Sequence, residues 1–352
     1  MEFVPSKRNQ ETVTLNKGQQ KAVDNLIDFI ASPFSTSNNV QALCGAGGVG
    51  KTFVMKYVIE HCRYTKSMIV CAAPTHKACR VLANATKMKV DTIQKLFGFR
   101  LDVDIEDFDP NNPAFRPIGA VKFNGETARV LIIDESSMLN RALVNYILAY
   151  CRKQEIKVIF IGDDSQLAPV KETVSYAFKV ANKINRLTEI VRQEDSNPIR
   201  ELLSILRTDI KNRSYNFLSY ICNHRKNVVD GKGYIVVGND EFKQLINRGF
   251  VDKDFEKNVD LYRLVAYTNK AVTGWNNHIR NVTIKNADRS ILNNNDLIMS
   301  YTTIVDEFND IIINNSEDYI IRDILNFVDQ DYGFKGFMVK FQAIHGGGIT
   351  KP

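Results

Sequence analysis

The sequence predicts an α/β fold built on a parallel sheet. Three observations carry that expectation. Short apolar runs at Val40–Cys44, Met68–Ala73, Val130–Ile133 and Val158–Ile161 each end abruptly in glycine or polar residues. Helical patterns follow several of them, over Phe53–Cys62, His76–Ala83 and Arg141–Cys151. A glycine-rich stretch, Gly45-Ala46-Gly47-Gly48-Val49-Gly50-Lys51-Thr52, joins the first run to the first of those helices. Strands buried on both faces read as continuous apolar runs, and crossover helices cover them. In such sheets the functional residues collect beyond the carboxyl ends of the strands.

The chain has 352 residues, enough for roughly two or three domains. Its 44% hydrophobic and 24% charged content is that of an ordinary soluble globular protein. No apolar run approaches a membrane span, and the opening MEFVPSKRNQETVTLN has no signal-peptide core, so a cytoplasmic location is expected. The six cysteines include no CxxC pair. Cys44, Cys71 and Cys151 lie in or beside apolar segments, as reduced thiols do. The formal charge of +6 is compatible with a polyanionic partner without demonstrating one.

Along the chain, Leu96–Thr127 interrupts the α/β alternation with three prolines, acidic residues and five phenylalanines. It is too long for an ordinary loop and predicts an inserted hairpin subdomain. Helices and strands alternate again from Glu189 to about Lys285, with a buried-strand candidate at Leu261–Tyr267. From Ala287 the sequence turns rich in Asn and β-branched residues, predicting a small β-barrel-like module with turns at the Asn clusters.

The glycine stretch is a complete phosphate-binding loop in its required context, a strand before and a helix after. Glycines let backbone N–H groups point at phosphates, and the helix N-terminus adds partial positive charge. Lys51 would reach the β- and γ-phosphates, and Thr52 would ligate Mg²⁺. Val130–Ile133 delivers two adjacent carboxylates, Asp134 to hold Mg²⁺ through water and Glu135 to orient or deprotonate the attacking water. The blander reading of Asp-Glu-Ser-Ser is a helix start. Gly162-Asp163-Asp164-Ser165-Gln166 ends another strand. Gln166 could contact a γ-phosphate, or the segment could be a plain Asx-turn; the residues alone leave both open.

With DESSM upstream, GDDSQLAPV resembles superfamily one DNA helicases. Ala73-Pro74-Thr75-His76-Lys77-Ala78 resembles their first DNA-contact motif. Leu187–Gln193, LTEIVRQ, resembles the segment with their arginine finger, which would be Arg192. Val265-Ala266-Tyr267-Thr268-Asn269-Lys270 resembles a motif of their second motor domain, and Leu15–Gln19 resembles the glutamine motif that reads adenine. The pattern is similar to the 5′-to-3′ branch of Dda-, RecD- and TraA-like enzymes.

The resemblance implies two RecA-like motor domains, with ATP and Mg²⁺ held at Gln19, Gly45–Thr52 and Asp134. Residues 1–95 with 128–188 would be the first motor domain and 96–127 an inserted pin. Residues 189–286 would be a partial second motor domain, and 287–352 an incomplete SH3-like barrel. DNA contacts are implied at Pro74, Thr75, His76, Lys77, Thr92, Gln94, Tyr267, Thr268 and Asn269, where Gln94 replaces the usual His. Phe97, Phe99, Phe115 and Phe123 are candidates to split a duplex, although hairpin packing against the main domain suits most of them better. Trp275 reads as a packed helix residue. Two later helicase motifs are not found before Pro352, which fits either a fragment or a divergent protein.

The implied activity is ATP-driven 5′-to-3′ translocation and unwinding by a monomer. Its setting would be replication, recombination or repair, beside a single-strand-binding or replisome protein and, for a phage gene, in the host cytoplasm. The rivals are an ATP- and DNA-binding accessory protein, and a generic AAA-type ATPase, against which GDDSQLAPV and YTNKAV stand.

Overall fold

The computed structural model describes residues 15–101, 115–117, 119–166, 169, 172, 175–189, 197–300, 304–305, 311–313, 317–328, 333 and 335–344. The chain divides into two units, Met1–Asp195 and Ser196–Pro352.

The first unit is built on six strands: β1 (Val40–Gly45), β2 (Ile69–Ala73), β3 (Val90–Thr92), β6 (Val130–Ile133), β7 (Lys157–Gly162) and β8 (Lys183–Leu187). They form one parallel sheet in the order β3-β2-β6-β7-β1-β8. Every residue of β1, β6 and β7 is buried. Alternate side chains go to opposite faces. Leu43, Ile159 and Ile161 pack under α1 (Lys17–Ala31), α2 (Lys51–His61) and α3 (His76–Thr86). Ala42, Cys44, Val158 and Phe160 pack under α4 (Ile93–Leu96), α5 (Arg141–Lys153) and α6 (Tyr176–Lys179). Two cores thus clamp the sheet, each large apolar side chain contributing about 1.5–3 kcal/mol. This is the α/β parallel sheet that the strand pattern predicts, and the RecA-like fold of a P-loop NTPase that the resemblance implies.

The insert begins as expected, with β4 (Phe99–Leu101) and β5 (Phe115–Pro117) paired antiparallel. Gly98 turns into it at φ 68°, where a Cβ would lie 2.4 Å from the Gly119 carbonyl oxygen. The candidate wedge residues need correction. Phe97 is fully buried, its ring edge-on to Phe123, Tyr146 and Tyr150 at 5.7, 6.0 and 5.7 Å. Phe99 rests on Tyr146, and Phe123 rests on Tyr150. A ring locked in the α5 core cannot stack on a base. The Phe115 side chain lies outside the described residues.

The second unit comprises α7 (Ile199–Asn212), α8 (Asn216–Asn223), the hairpin β9 (Lys226–Val229) and β10 (Lys232–Ile235), α9 (Asn239–Phe250), α10 (Lys253–Lys257) and α11 (Asn269–Thr283). The strand expected at Leu261–Tyr267 does not form: Val265 is 86% exposed and Tyr267 fully so. A parallel strand needs neighbours on its edges and cover on both faces. Among the described residues, every strand pair of this unit is antiparallel. Trp275 packs edge-on against Phe242 at 5.8 Å, as a helix residue.

The Asn-rich region gives β11 (Leu297–Met299), β14 (Asp318–Val328) and β15 (Lys335–Ala343) as one antiparallel sheet. β12 (Ile304–Val305) and β13 (Ile311–Ile313) form a separate pair, so the described pairings close no barrel. Asn286 and Asn295 adopt left-handed turns, at φ 59° and 70°. Arg280 ties α11 to this region, holding Asp296 through two bonds of 2.7 and 2.9 Å. Among the described residues no helix is long and apolar enough to cross a membrane.

Replacing Phe97 by Ala should destabilise the first unit by about 3–5 kcal/mol in chemical denaturation, as large-to-small core changes do. A wedge residue would leave stability unchanged.

Candidate functional site

The carboxyl edge of the first unit's sheet gathers the sequence-predicted chemistry. Residues Gly45, Ala46, Gly47, Gly48, Val49 and Gly50 run from β1 into α2, whose N-terminus has no side-chain cap. Its first-turn N–H groups are therefore available to an anion. Two glycines are enforced, Gly45 by crowding against backbone and Gly50 by its positive φ. A Cβ on Gly45 would lie 2.6 Å from the Leu187 carbonyl oxygen. One on Gly50, at φ 84°, would lie 2.6 Å from Gln19 Nε2. The Lys51 ammonium lies over the loop, donating to the Gly45 and Ala46 carbonyls at 2.8 and 3.0 Å. Thr52 is half-buried in the first turn of α2.

Gln19 does more than its motif suggested. It completes a capping box, accepting from the Asn16 N–H at 3.1 Å while Asn16 Oδ1 accepts from the Gln19 N–H at 2.7 Å. Its amide also donates to the Val49 carbonyl at 3.1 Å, and the side chain is buried. One amide hydrogen and one oxygen lone pair remain for any base edge.

Asp134 and Glu135 follow β6. They are not beside β1, because β7 lies between. Asp134 is 8% exposed, and burial raises its pKa to about 6. The neighbouring Glu135 N–H, which donates to it at 2.8 Å, and the charge of Lys51 pull the other way. A desolvated carboxylate at a phosphate loop suits a divalent cation, whose charge would restore the ionised form. Asp134 and Thr52 are the residues that would hold it. Glu135 adopts φ 50°, a left-handed conformation uncommon for a non-glycine residue. Cys44, just before the loop, is pushed up to about 12 by burial, so it stays a thiol.

β7 delivers the third segment. Asp163 Oδ1 accepts from the Ser165 N–H at 3.0 Å, so the Asx-turn is real. Ser137 Oγ, in the turn after Glu135, also donates to Gln166 Oε1 at 3.1 Å. Asp164 pairs with Arg186 of β8 at 2.7 Å. Neither link was legible in the sequence, since each joins positions brought together only by strand order.

The DNA-contact candidates fall into two groups. Thr75 caps α3, accepting from the Ala78 N–H at 3.2 Å, and Thr92 caps α4, accepting from the Lys95 N–H at 3.3 Å. Register places Ala73 opposite Thr92, so Pro74, Thr75, His76 and Lys77 share one edge with Thr92 and Gln94. Thr92 is buried, whereas Lys77 is exposed. Tyr267, Thr268 and Asn269 belong to the second unit. They start a helix and do not end a strand: Thr268 caps α11, accepting from the Ala271 N–H at 3.2 Å. Arg192 lies outside the described residues.

The family described as "AAA domain" matches residues 14–220, more than half of the chain. The chain belongs to the AAA domain family. The match runs past the first unit into α8, and helicases stand among the relatives of this AAA domain protein. It is 28% identical over 215 residues to an uncharacterised protein of Acanthamoeba polyphaga mimivirus, covering 54% of this chain and 42% of that one. It is 27% identical over 287 residues to the ATP-dependent DNA helicase dda of Enterobacteria phage T4, covering 76% and 56%. The chain therefore spans about half the length of the curated relatives it matches. A Pif1 helicase structure from Bacteroides aligns with 96% of this chain and 74% of its own, at 18% identity and TM-score 0.46.

The raised Asp134 pKa makes a linkage prediction. The folded state binds the proton more tightly than the unfolded one, so this carboxyl's contribution to stability is fully present below its ordinary pKa and is lost as pH rises through about 6. Without divalent cations, Asp134→Asn should therefore raise unfolding free energy at pH 7.5 by about 1–3 kcal/mol. In urea titrations across pH that gain should vanish near pH 4.

Proposed function

We propose that the chain is the ATP-hydrolysing part of a DNA helicase that moves 5′-to-3′ along single-stranded DNA and opens duplex junctions. The observation that carries this reading is the gathering of Lys51, Asp134, Glu135 and Gln166 on one sheet edge, with Ser137 bonded to Gln166. The dda helicase name, attached to a relative that matches 76% of the chain, supports the DNA half. Direction rests on the resemblance of LTEIVRQ and APTHKA.

In this reading ATP lies against Gly45–Thr52, with Gln19 beside the base and Lys51 on the β- and γ-phosphates. Mg²⁺, held by Thr52 and Asp134, would neutralise phosphate charge. Glu135 orients the water that attacks the γ-phosphorus, giving ADP and phosphate. Arg192 supplies a fixed positive charge to the same group. Loss of the γ-phosphate frees Gln166, and through Ser137 the change reaches the acidic turn. Pro74, Thr75, His76, Lys77, Thr92 and Gln94 form the grip of this unit on the DNA backbone; Tyr267, Thr268 and Asn269 form that of the other. The motor acts as a monomer in a cytoplasm, beside replication, recombination or repair proteins.

One observation favours a second reading, an ATP- and DNA-binding accessory protein. The described part of the second unit holds no parallel sheet to act as a second motor.

Steady-state ATPase with and without single-stranded DNA separates them. The motor reading expects DNA to raise kcat roughly tenfold or more, and Glu135→Gln to lower it at least about 100-fold with ATP still bound. Nucleotide binding without stimulation would leave the accessory reading.

A further inference from the structure

Lys157 lies on the sheet edge opposite the phosphate loop, in no motif, and is buried. Its ammonium donates to the Phe29, Ile30 and Ser32 carbonyls and, at 2.9 Å, to Ser32 Oγ. It also sits 5.1 Å from the Phe29 ring centre. These acceptors are the last carbonyls of α1, where a cation is favoured and where backbone oxygens otherwise lack partners. Burial, with the nearby charge of Arg63, draws its pKa down to about 8, so the ammonium is still the donor at neutral pH.

The other end of α1 carries Gln19. The helix has 15 residues, roughly 22 Å, and β7 has six, about 20 Å. The two therefore span the same depth of the domain in opposite directions. At the far edge, Gln19 holds Val49 of the loop, with a tolerance set by Gly50: a methyl group there would lie 2.6 Å from the amide. α1 is one continuous helix, from its first turn at Gln19 to its C-cap at Ser32. Between its ends Ala22, Val23, Leu26 and Phe29 pack against the sheet, and Asn25 bonds Asn185 of β8 at 3.0 Å, so α1 is held along its length as one body.

We propose that Lys157 is a remote positioning residue for the nucleotide, fixing the axial setting of α1 so that Gln19 holds the phosphate loop in its binding shape. This rests on the reading of Gly45–Thr52 as an ATP site. Lys157 touches no substrate atom and acts only through α1.

The test is a double-mutant cycle on ATP affinity, by calorimetry with Mg²⁺, at a temperature where every variant is folded by circular dichroism. Lys157→Met should weaken ATP binding roughly three- to tenfold, the worth of one well-placed hydrogen bond. In a Gln19→Ala background the same change should alter affinity by less than about twofold, because the route through α1 is already cut. If Lys157→Met does not fold, Lys157→Gln, which keeps two donors, is read in the same cycle. Unchanged affinity in a folded but less stable variant would make Lys157 a purely structural cap and overturn the proposal. So would an undiminished loss in the Gln19→Ala background. Failure of the wild-type chain to bind ATP would instead overturn the nucleotide reading, and this proposal with it.

Discussion

Everything at the candidate site depends on how tightly the backbone is packed where β1 enters α2. Gly45 abuts the end of β8 with no room for a methyl group, and Gly50 sits against Gln19 at φ 84°, a conformation that strains any other residue. The loop's shape is therefore set from outside, by a strand on one side and a helix cap on the other. A loop held only by its own turns would have to be ordered by each ligand. One wedged between β8 and α1 has already met much of that entropic cost during folding.

Strand order does the remaining work. A parallel sheet buried on both faces leaves polar side chains nowhere to go but its ends. With β7 between β1 and β6, the Asx-turn after Gly162 falls between the phosphate loop and the acidic pair. Ser137 then meets Gln166, and Asp164 meets Arg186, so the ends of three strands, β6, β7 and β8, are cross-linked by side chains. Such a cross-linked edge is suited to passing a change at one phosphate to several segments at once.

The first unit was legible because doubly buried strands announce themselves. β6 matches its expected bounds, β1 and β2 differ from theirs by one residue at one end, and β7 by one residue at each end. Leu261–Tyr267 carries the same apolar signal, yet forms no strand, since the pattern records a preference for burial and not the presence of neighbours. Phe97 was left as a wedge candidate for a related reason: an aromatic beside an insert reads alike whether it faces solvent or core, and the rings of Tyr146 and Tyr150 on α5 decide it for the core. Gln19 was read only through its resemblance to the glutamine motif, and its bond to Val49 joins positions thirty apart with no local signature. Lys157 opened an apolar strand with no hint that a helix end would lie over it.

The central claim is that this sheet edge is a nucleotide site. Calorimetric titration of ATP into the chain, with Mg²⁺, tests it most directly. The account predicts saturable binding, weakened by Lys51→Ala at least about tenfold, since a charged donor to phosphate is worth about 1.5–3 kcal/mol. No binding by the folded wild-type chain, or equal affinity in the Lys51→Ala variant, would contradict it.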